Sequence, residues 1–171
     1  SSAIDNKNDL YKSVQFFENE GFKVVLSDNI FDNINGISGS VNSRLKNLHS
    51  FFKSDNINAI FCSRGGFGTL KLVNYIDYEF IKKHPKIFVG FSDITNLNAM
   101  FYKKSNLLTF YGPMPYVDFV DEIDDYTKKM FFDTLMGNLL LYKASELKIY
   151  NEGSARGVLF GGNLSTLASL C

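Results

Sequence analysis

The chain is poor in the residues that build metal centres and disulfide scaffolds. Among 171 residues it has two cysteines, Cys62 and Cys171, and two histidines, His49 and His84. Two cysteines make no disulfide framework. No Cys or His cluster falls at metal-ligand spacing, so no metal site is expected. Charge of either sign is also missing in excess: 18 Lys and Arg balance 18 Asp and Glu. That removes the electrostatic case for a nucleic-acid partner. No apolar run approaches the ~20 residues that span a bilayer, so no membrane partner is expected. The opening Ser1-Ser2-Ala3-Ile4-Asp5 has neither the basic nor the apolar region of a signal peptide. There is no internal repeat and no low-complexity segment. A cytoplasmic, reduced protein is the expectation these absences leave.

What is present is enough apolar material, 45% of the chain, for a core in one domain, or in one domain plus a piece of another. Apolar positions at helical spacing predict helices over 5–20, closed by Gly21, and over 41–53, 67–75, 78–83, 93–103 and 126–136. Short β-rich runs predict strands over 22–26, 57–62, 87–89 and 107–110. Residues 27–40, rich in Asn, Asp, Ser and Gly, read as a loop. Helices alternating with β-branched runs argue for an α/β domain with a mainly parallel sheet. After Phe110 the pattern changes. A turn-rich break, an acidic loop at 118–125, a hairpin over 139–150, a strand over 157–160 and the start of a helix at Asn163 are expected. The expected division is a Rossmann-like N-terminal domain at 1–115, a connecting segment at 116–150 and the beginning of a smaller C-terminal domain at 151–171. Both ends read as those of a piece of a longer chain, with a first strand missing ahead of Ser1.

In parallel sheets ligands sit at the carboxyl ends of the strands. Two such ends carry chemistry. Gly90-Phe91-Ser92-Asp93 follows the strand at 87–89 and precedes the helical spacing of Ile94, Leu97 and Met100. This strand, sharp turn and helix would lift the Ser92 hydroxyl out of the sheet beside the amides of the next turn, the logic of a nucleophile elbow. A Cβ at Gly90 would crowd that turn. The tetrapeptide alone equally suits an ordinary N-cap. The second end, Arg64-Gly65-Gly66-Phe67-Gly68, allows close backbone approach and amides turned towards a ligand. It lacks the Lys-Ser/Thr of a phosphate-binding P-loop and the G-x-G-x-x-G spacing, and tight packing of the turn would also select glycine.

Taken together, Ala59 to Gly68, Ile76-Asp77-Tyr78, Pro85 to Thr95, Thr109 to Met114 and Gly157-Val158-Leu159-Phe160-Gly161-Gly162-Asn163-Leu164 come in one order at one spacing. That order resembles the LD-carboxypeptidase family of serine peptidases, which includes muramoyl-tetrapeptide carboxypeptidases and microcin C immunity peptidases. Arg44 with Leu48 also fits. The resemblance implies a Rossmann-like N-terminal domain, a smaller C-terminal domain and an active site between them. It implies Ser92 as nucleophile, with the amide of Asp93 and one from the Gly65-Gly66 turn as the oxyanion hole. The implied substrate is a short peptide with a free C-terminal carboxylate, such as a murein peptide losing D-alanine, or a related peptide conjugate. Arg64, Tyr111 and Asn163 would line the substrate cleft. No metal or organic cofactor is implied, and a homodimer is compatible with the family.

Two departures bear on activity. The family's triad also uses a glutamate and a histidine after the Gly-Gly-Asn-Leu segment, and this sequence ends seven residues after Leu164. His84 precedes the strand whose other end carries Ser92, and His49 reads as a surface or partly packed histidine. This stretch alone is therefore expected to be inactive. Tyr111 stands where cell-wall enzymes commonly show histidine, closer to the microcin-immunity branch; a packed aromatic at a strand end explains it equally. Capping or solvating a helix start explains Asp77 and Glu79, capping explains Asn163, and the acidic loop reads as solvated surface. A reading of a different class is a non-catalytic α/β module that holds an anion on the Arg64-Gly65-Gly66 turn.

Overall fold

A computed structural model describes residues 1–138 and 148–171 of the chain. Helices α1 (Lys7–Asn19) and α2 (Val41–Lys53) precede strand β1 (Ala59–Phe61). Helix α3 (Tyr78–Lys83), strand β2 (Ile87–Val89) and helix α4 (Thr95–Ser105) follow, then α5 (Pro115–Asp118), α6 (Asp125–Leu135) and α7 (Leu164–Ala168). Short polar side chains start the helices. Asn6, Ser40, Asp77 and Asp124 each accept a hydrogen bond from an amide two or three residues on, satisfying donors that the first turn leaves free. Asp77 thus has the capping role expected of it. Gly21, at φ +88°, ends α1 as expected.

β1 and β2 pair in parallel, Ile60 opposite Phe88. On the far side of β2, Phe110 donates its amide to Phe88 O at 2.9 Å and accepts from Gly90 N at 3.1 Å. Alternation along the strands sends side chains to two apolar layers. Ile60 and Phe88 join Phe52, Ile81, Ile94, Phe101 and Met114 on the face of α2, α3 and α4. Val89, with Phe61 and Ile87 against it, joins Phe17, Phe119 and Phe131 on the face of α1, α5 and α6. A small parallel sheet with helices on both faces is the α/β architecture that the alternating pattern predicts. Its seams are aromatic: Phe88 meets Phe101 edge-on at 4.9 Å, and Phe17 packs on Phe119 at 4.9 Å. Each buried phenyl ring is worth about 1.5–3 kcal/mol over an exposed one.

Four expected elements differ. Residues 22–26 are not a strand; among the described residues no ladder or bridge reaches their backbone. Residues 67–75 form successive turns rather than a helix, with bonds from Leu72 N to Thr69 O and from Tyr75 N to Leu72 O. Gly66 and Gly68, both at positive φ, and a Thr69 hydroxyl bonded to Asp93 hold that segment off the helical path. The run at 107–110 contributes a single bridge, Val89 to Phe110. Residues 157–160 form no strand: Gly157 is a bend and none of them joins a ladder among the described residues. The expected hairpin over 139–150 falls mostly outside the described residues, and 148–150 carry no strand. No described helix is long and apolar enough to cross a membrane.

Candidate active site

Ser92 stands where β2 gives way to α4. The peptide of Gly90 is held from both sides: its amide donates to Phe110 O, and its carbonyl accepts from Asn98 Nδ2 at 2.9 Å. A Cβ on Gly90 would lie 2.9 Å from Ile94 Cγ2 and 3.1 Å from Cys62 Cβ. The crowding expected there is real, and it comes from the helix and β1 closing over the turn. Phe91 is extended, and Ser92 then takes φ +61°, the left-handed region that L side chains seldom occupy. A short 3₁₀ turn (Ser92–Ile94) leads into α4. A strained serine between strand and helix is the geometry of a nucleophile elbow. Among the described residues the Ser92 hydroxyl has no hydrogen-bond partner, and neither has the Asp93 amide.

The Gly65-Gly66 turn packs directly on this serine. A Cβ at Gly65 would sit 3.0 Å from Ser92 Cβ and 3.3 Å from Ser92 Oγ, so glycine leaves the Ser92 side chain its room. Gly66, at φ +115°, backs onto Ser2, and Gly65 O accepts from Ser2 N at 3.1 Å. The amides of Gly65 and Gly66 have no partner among the described residues. The structure therefore brings together a strained hydroxyl and two sets of free amides. Such a constellation can attack a carbonyl and hold the resulting oxyanion, given a base.

Tyr111 belongs to the same site. Its hydroxyl accepts from Ser92 N at 3.3 Å, and its ring meets Phe91 edge-on at 6.0 Å. Asn163 lies on the neighbouring rim: its amide donates to Thr95 Oγ1 at 3.1 Å, while its side chain caps α7 by accepting from Thr166 N. Arg64 turns elsewhere. Its guanidinium donates to Ala3 O at 3.2 Å, lies 3.6 Å from the Asp5 carboxylate and covers the Tyr116 ring. Both histidines pack against α3, His49 from α2 and His84 from the C-terminal cap of α3. His49 Nε2 accepts from Asp77 N at 3.1 Å. His84 Nδ1 bonds Phe80 O at 2.9 Å, and its ring stacks on Phe80. Among the described residues no group of three His, Cys, Asp or Glu could hold a metal ion.

Beneath the elbow is a polar cluster that the sequence reading did not find. Asp93, 8% exposed, accepts from both the amide and the hydroxyl of Thr69, and Asn96 Nδ2 donates to that hydroxyl at 3.1 Å. Arg44 donates to Gly68 O at 3.0 Å. Burial lowers the Arg44 pKa, and the Asp93 charge opposes that drop. The signal for Thr69 is a small polar residue closing a glycine-rich turn; the helical reading of 67–75 concealed it.

A serine elbow facing a glycine turn on a parallel α/β sheet defines the class, and the sequence places the chain in it: it belongs to the LD-carboxypeptidase family, whose N-terminal domain matches residues 1–112. Among curated relatives, it is 37% identical over 157 residues to a probable murein peptide carboxypeptidase of Bacillus subtilis, covering 90% of this chain and 49% of that protein. It is 29% identical over 199 residues to the microcin C7 self-immunity protein MccF of Escherichia coli, covering 99% of this chain and 58% of that one. The solved structure of MccF with aspartyl sulfamoyl adenosine superposes with a TM-score of 0.85 at 27% identity, over 99% of this chain and 60% of that one. An MccF-like protein of Bacillus anthracis gives 0.75 at 33% identity, over 79% and 42%. The chain thus spans about half the length of the curated relatives it matches.

Proposed function

We propose that this chain carries the nucleophile half of a serine carboxypeptidase. Its substrate is a short peptide with a free C-terminal carboxylate, a murein tetrapeptide losing D-alanine or a related small peptide conjugate. The observation that supports this most is the left-handed Ser92 just after β2, with so little space at Gly65 that a Cβ there would lie 3.0 Å from Ser92 Cβ. Ser92 Oγ attacks the scissile carbonyl. The tetrahedral oxyanion then accepts from the Asp93 amide and from an amide of the Gly65-Gly66 turn. Tyr111 and Asn163 flank the cleft. The 1–115 segment is the Rossmann-like domain, 116–150 the connection and 151–171 the beginning of a second domain that supplies the other wall.

A serine hydroxyl needs a base within hydrogen-bond reach. Both histidines of this stretch are engaged around Phe80, so residues 1–171 alone turn over no peptide. The family's glutamate and histidine, which follow the Gly-Gly-Asn-Leu segment, complete the triad. The anion-module reading loses ground because Arg64 is bound to Ala3, Asp5 and Tyr116 rather than left free.

The test is release of D-alanine from a tetrapeptide ending in L-Lys–D-Ala or diaminopimelate–D-Ala by the full-length gene product, with an aminoacyl sulfamoyl nucleoside as alternative substrate. Ser92→Ala is expected to abolish turnover of whichever is cleaved. Turnover that survives in Ser92→Ala refutes the assignment.

A further inference from the structure

We propose that the Asp93 side chain and Thr69 form a latch that positions the Gly65-Gly66 turn against Ser92, so that Asp93 serves the oxyanion twice, directly by its amide and indirectly by its carboxylate. This rests on the reading of Ser92 as nucleophile and of both sets of amides as oxyanion donors.

The turn cannot hold its own position. Residues 65, 66 and 68 are glycines, and Gly66 and Gly68 sit at φ +115° and +109°, so the backbone has wide conformational freedom. Its place is set by tethers at its ends. At the start, Gly65 O accepts from Ser2 N. At the finish, Gly68 O accepts from Arg44, and Thr69 is bonded to Asp93.

That last tether has a specific construction. Asp93 Oδ2 accepts from Thr69 N at 3.2 Å and from Ser1 Oγ at 3.2 Å. The Thr69 hydroxyl lies 2.9 Å from Asp93 Oδ1 and 2.6 Å from Asp93 O, and its single proton is shared between them. Asn96 Nδ2, from the first turn of α4, donates to the same hydroxyl. Its donor and acceptor sides are both occupied, so its orientation is determined. Thr69 and Asn96 are 1% and 2% exposed, so water does not compete for these bonds. Asp93 follows the nucleophile directly in sequence. The latch therefore ties the loop to the elbow itself rather than to a distant part of the fold. Any drift of residue 69 moves the turn relative to the oxygen it must stabilise, and a misplacement of about 1 Å costs on the order of 100-fold in rate.

The experiment uses the full-length gene product on the tetrapeptide substrates above. Thr69→Val keeps the shape and removes the hydroxyl; Thr69→Ser keeps the hydroxyl. Thr69→Val is expected to lower kcat about 100-fold, with KM changed less than about threefold because the oxyanion exists only after attack. Thr69→Ser is expected to stay within about threefold of the parent in kcat. If Thr69→Val does not fold, Asp93→Asn provides the same reading. It keeps one acceptor, opposes the second with an amide, and should lower kcat at least about 10-fold at unchanged KM. Parental kcat in Thr69→Val or in Asp93→Asn overturns the latch, as does a loss confined to KM, or a Thr69→Ser variant as impaired as Thr69→Val. Ser92→Ala separates the two ideas. If it remains active, the nucleophile reading fails; if it is dead while Thr69→Val is fully active, only the latch fails.

Discussion

Gly65→Ala tests the candidate site with the smallest possible change. Gly65 is not at positive φ, so alanine fits the backbone, and only the space in front of Ser92 is altered. The new methyl would lie 3.0 Å from Ser92 Cβ, 3.3 Å from Ser92 Oγ and 3.5 Å from Met114 Cε. Carbon pairs are most favourable at about 3.5–4.0 Å, so the serine contact is compressed by about half an ångström or more. Left unrelieved, such overpacking costs about 1–3 kcal/mol. Two movements relieve it: rotation of the serine side chain, or withdrawal of the turn by several tenths of an ångström. Both displace the hydroxyl from the amides proposed to receive the oxyanion. Thermal stability should therefore fall by no more than about 1–3 kcal/mol, while kcat of the full-length gene product falls by about 100-fold. Unfolding in urea and D-alanine release measure the two effects separately. A folded Gly65→Ala variant with parental kcat would falsify the reading that this turn packs on a nucleophilic Ser92.

Two further outcomes follow from the geometry. Tyr111→Phe removes the acceptor on the Ser92 amide, and because that amide can turn to water the loss should be about 0.5–1 kcal/mol. A loss above about 2 kcal/mol by urea unfolding would instead mean that the hydroxyl holds the elbow in place. Gly162→Ala puts a methyl against the Thr95 side chain, 2.9 Å from Oγ1, at φ +153°. It should break the Asn163-to-Thr95 bond and speed amide exchange across α7 while leaving β1 and β2 protected; uniform protection would refute the docking.

The features that the sequence made legible are local ones. Asn6, Ser40 and Asp77 announce helix starts because a short polar side chain bonds amides two or three residues away. β2 is legible because a three-residue apolar run between Pro85 and Gly90 has little else to be. Ser92 could be picked out because a glycine, a serine and a helical repeat follow that strand at fixed spacing. Two other readings failed where a distant part of the chain decided the outcome. The run at 22–26 has strand chemistry, yet a strand exists only when another backbone lies beside it, and none of the described residues pairs with it. The turn at 67–75 has helical spacing, yet Thr69 is held by a carboxylate 24 positions later.

The same division runs through the site. The order of residues by itself determined the α/β class, the family and the serine at the elbow, because propensity, capping and motif spacing are properties of neighbours. Only the tertiary structure decided that Gly65 packs on Ser92, that Tyr111 receives the Ser92 amide, that Arg64 faces the N-terminal segment, and that Asp93 is buried against Thr69. Those are contacts between segments separated by 19 to 61 positions, and the packing of helices onto a sheet, not the spacing of residues along the chain, brings them together.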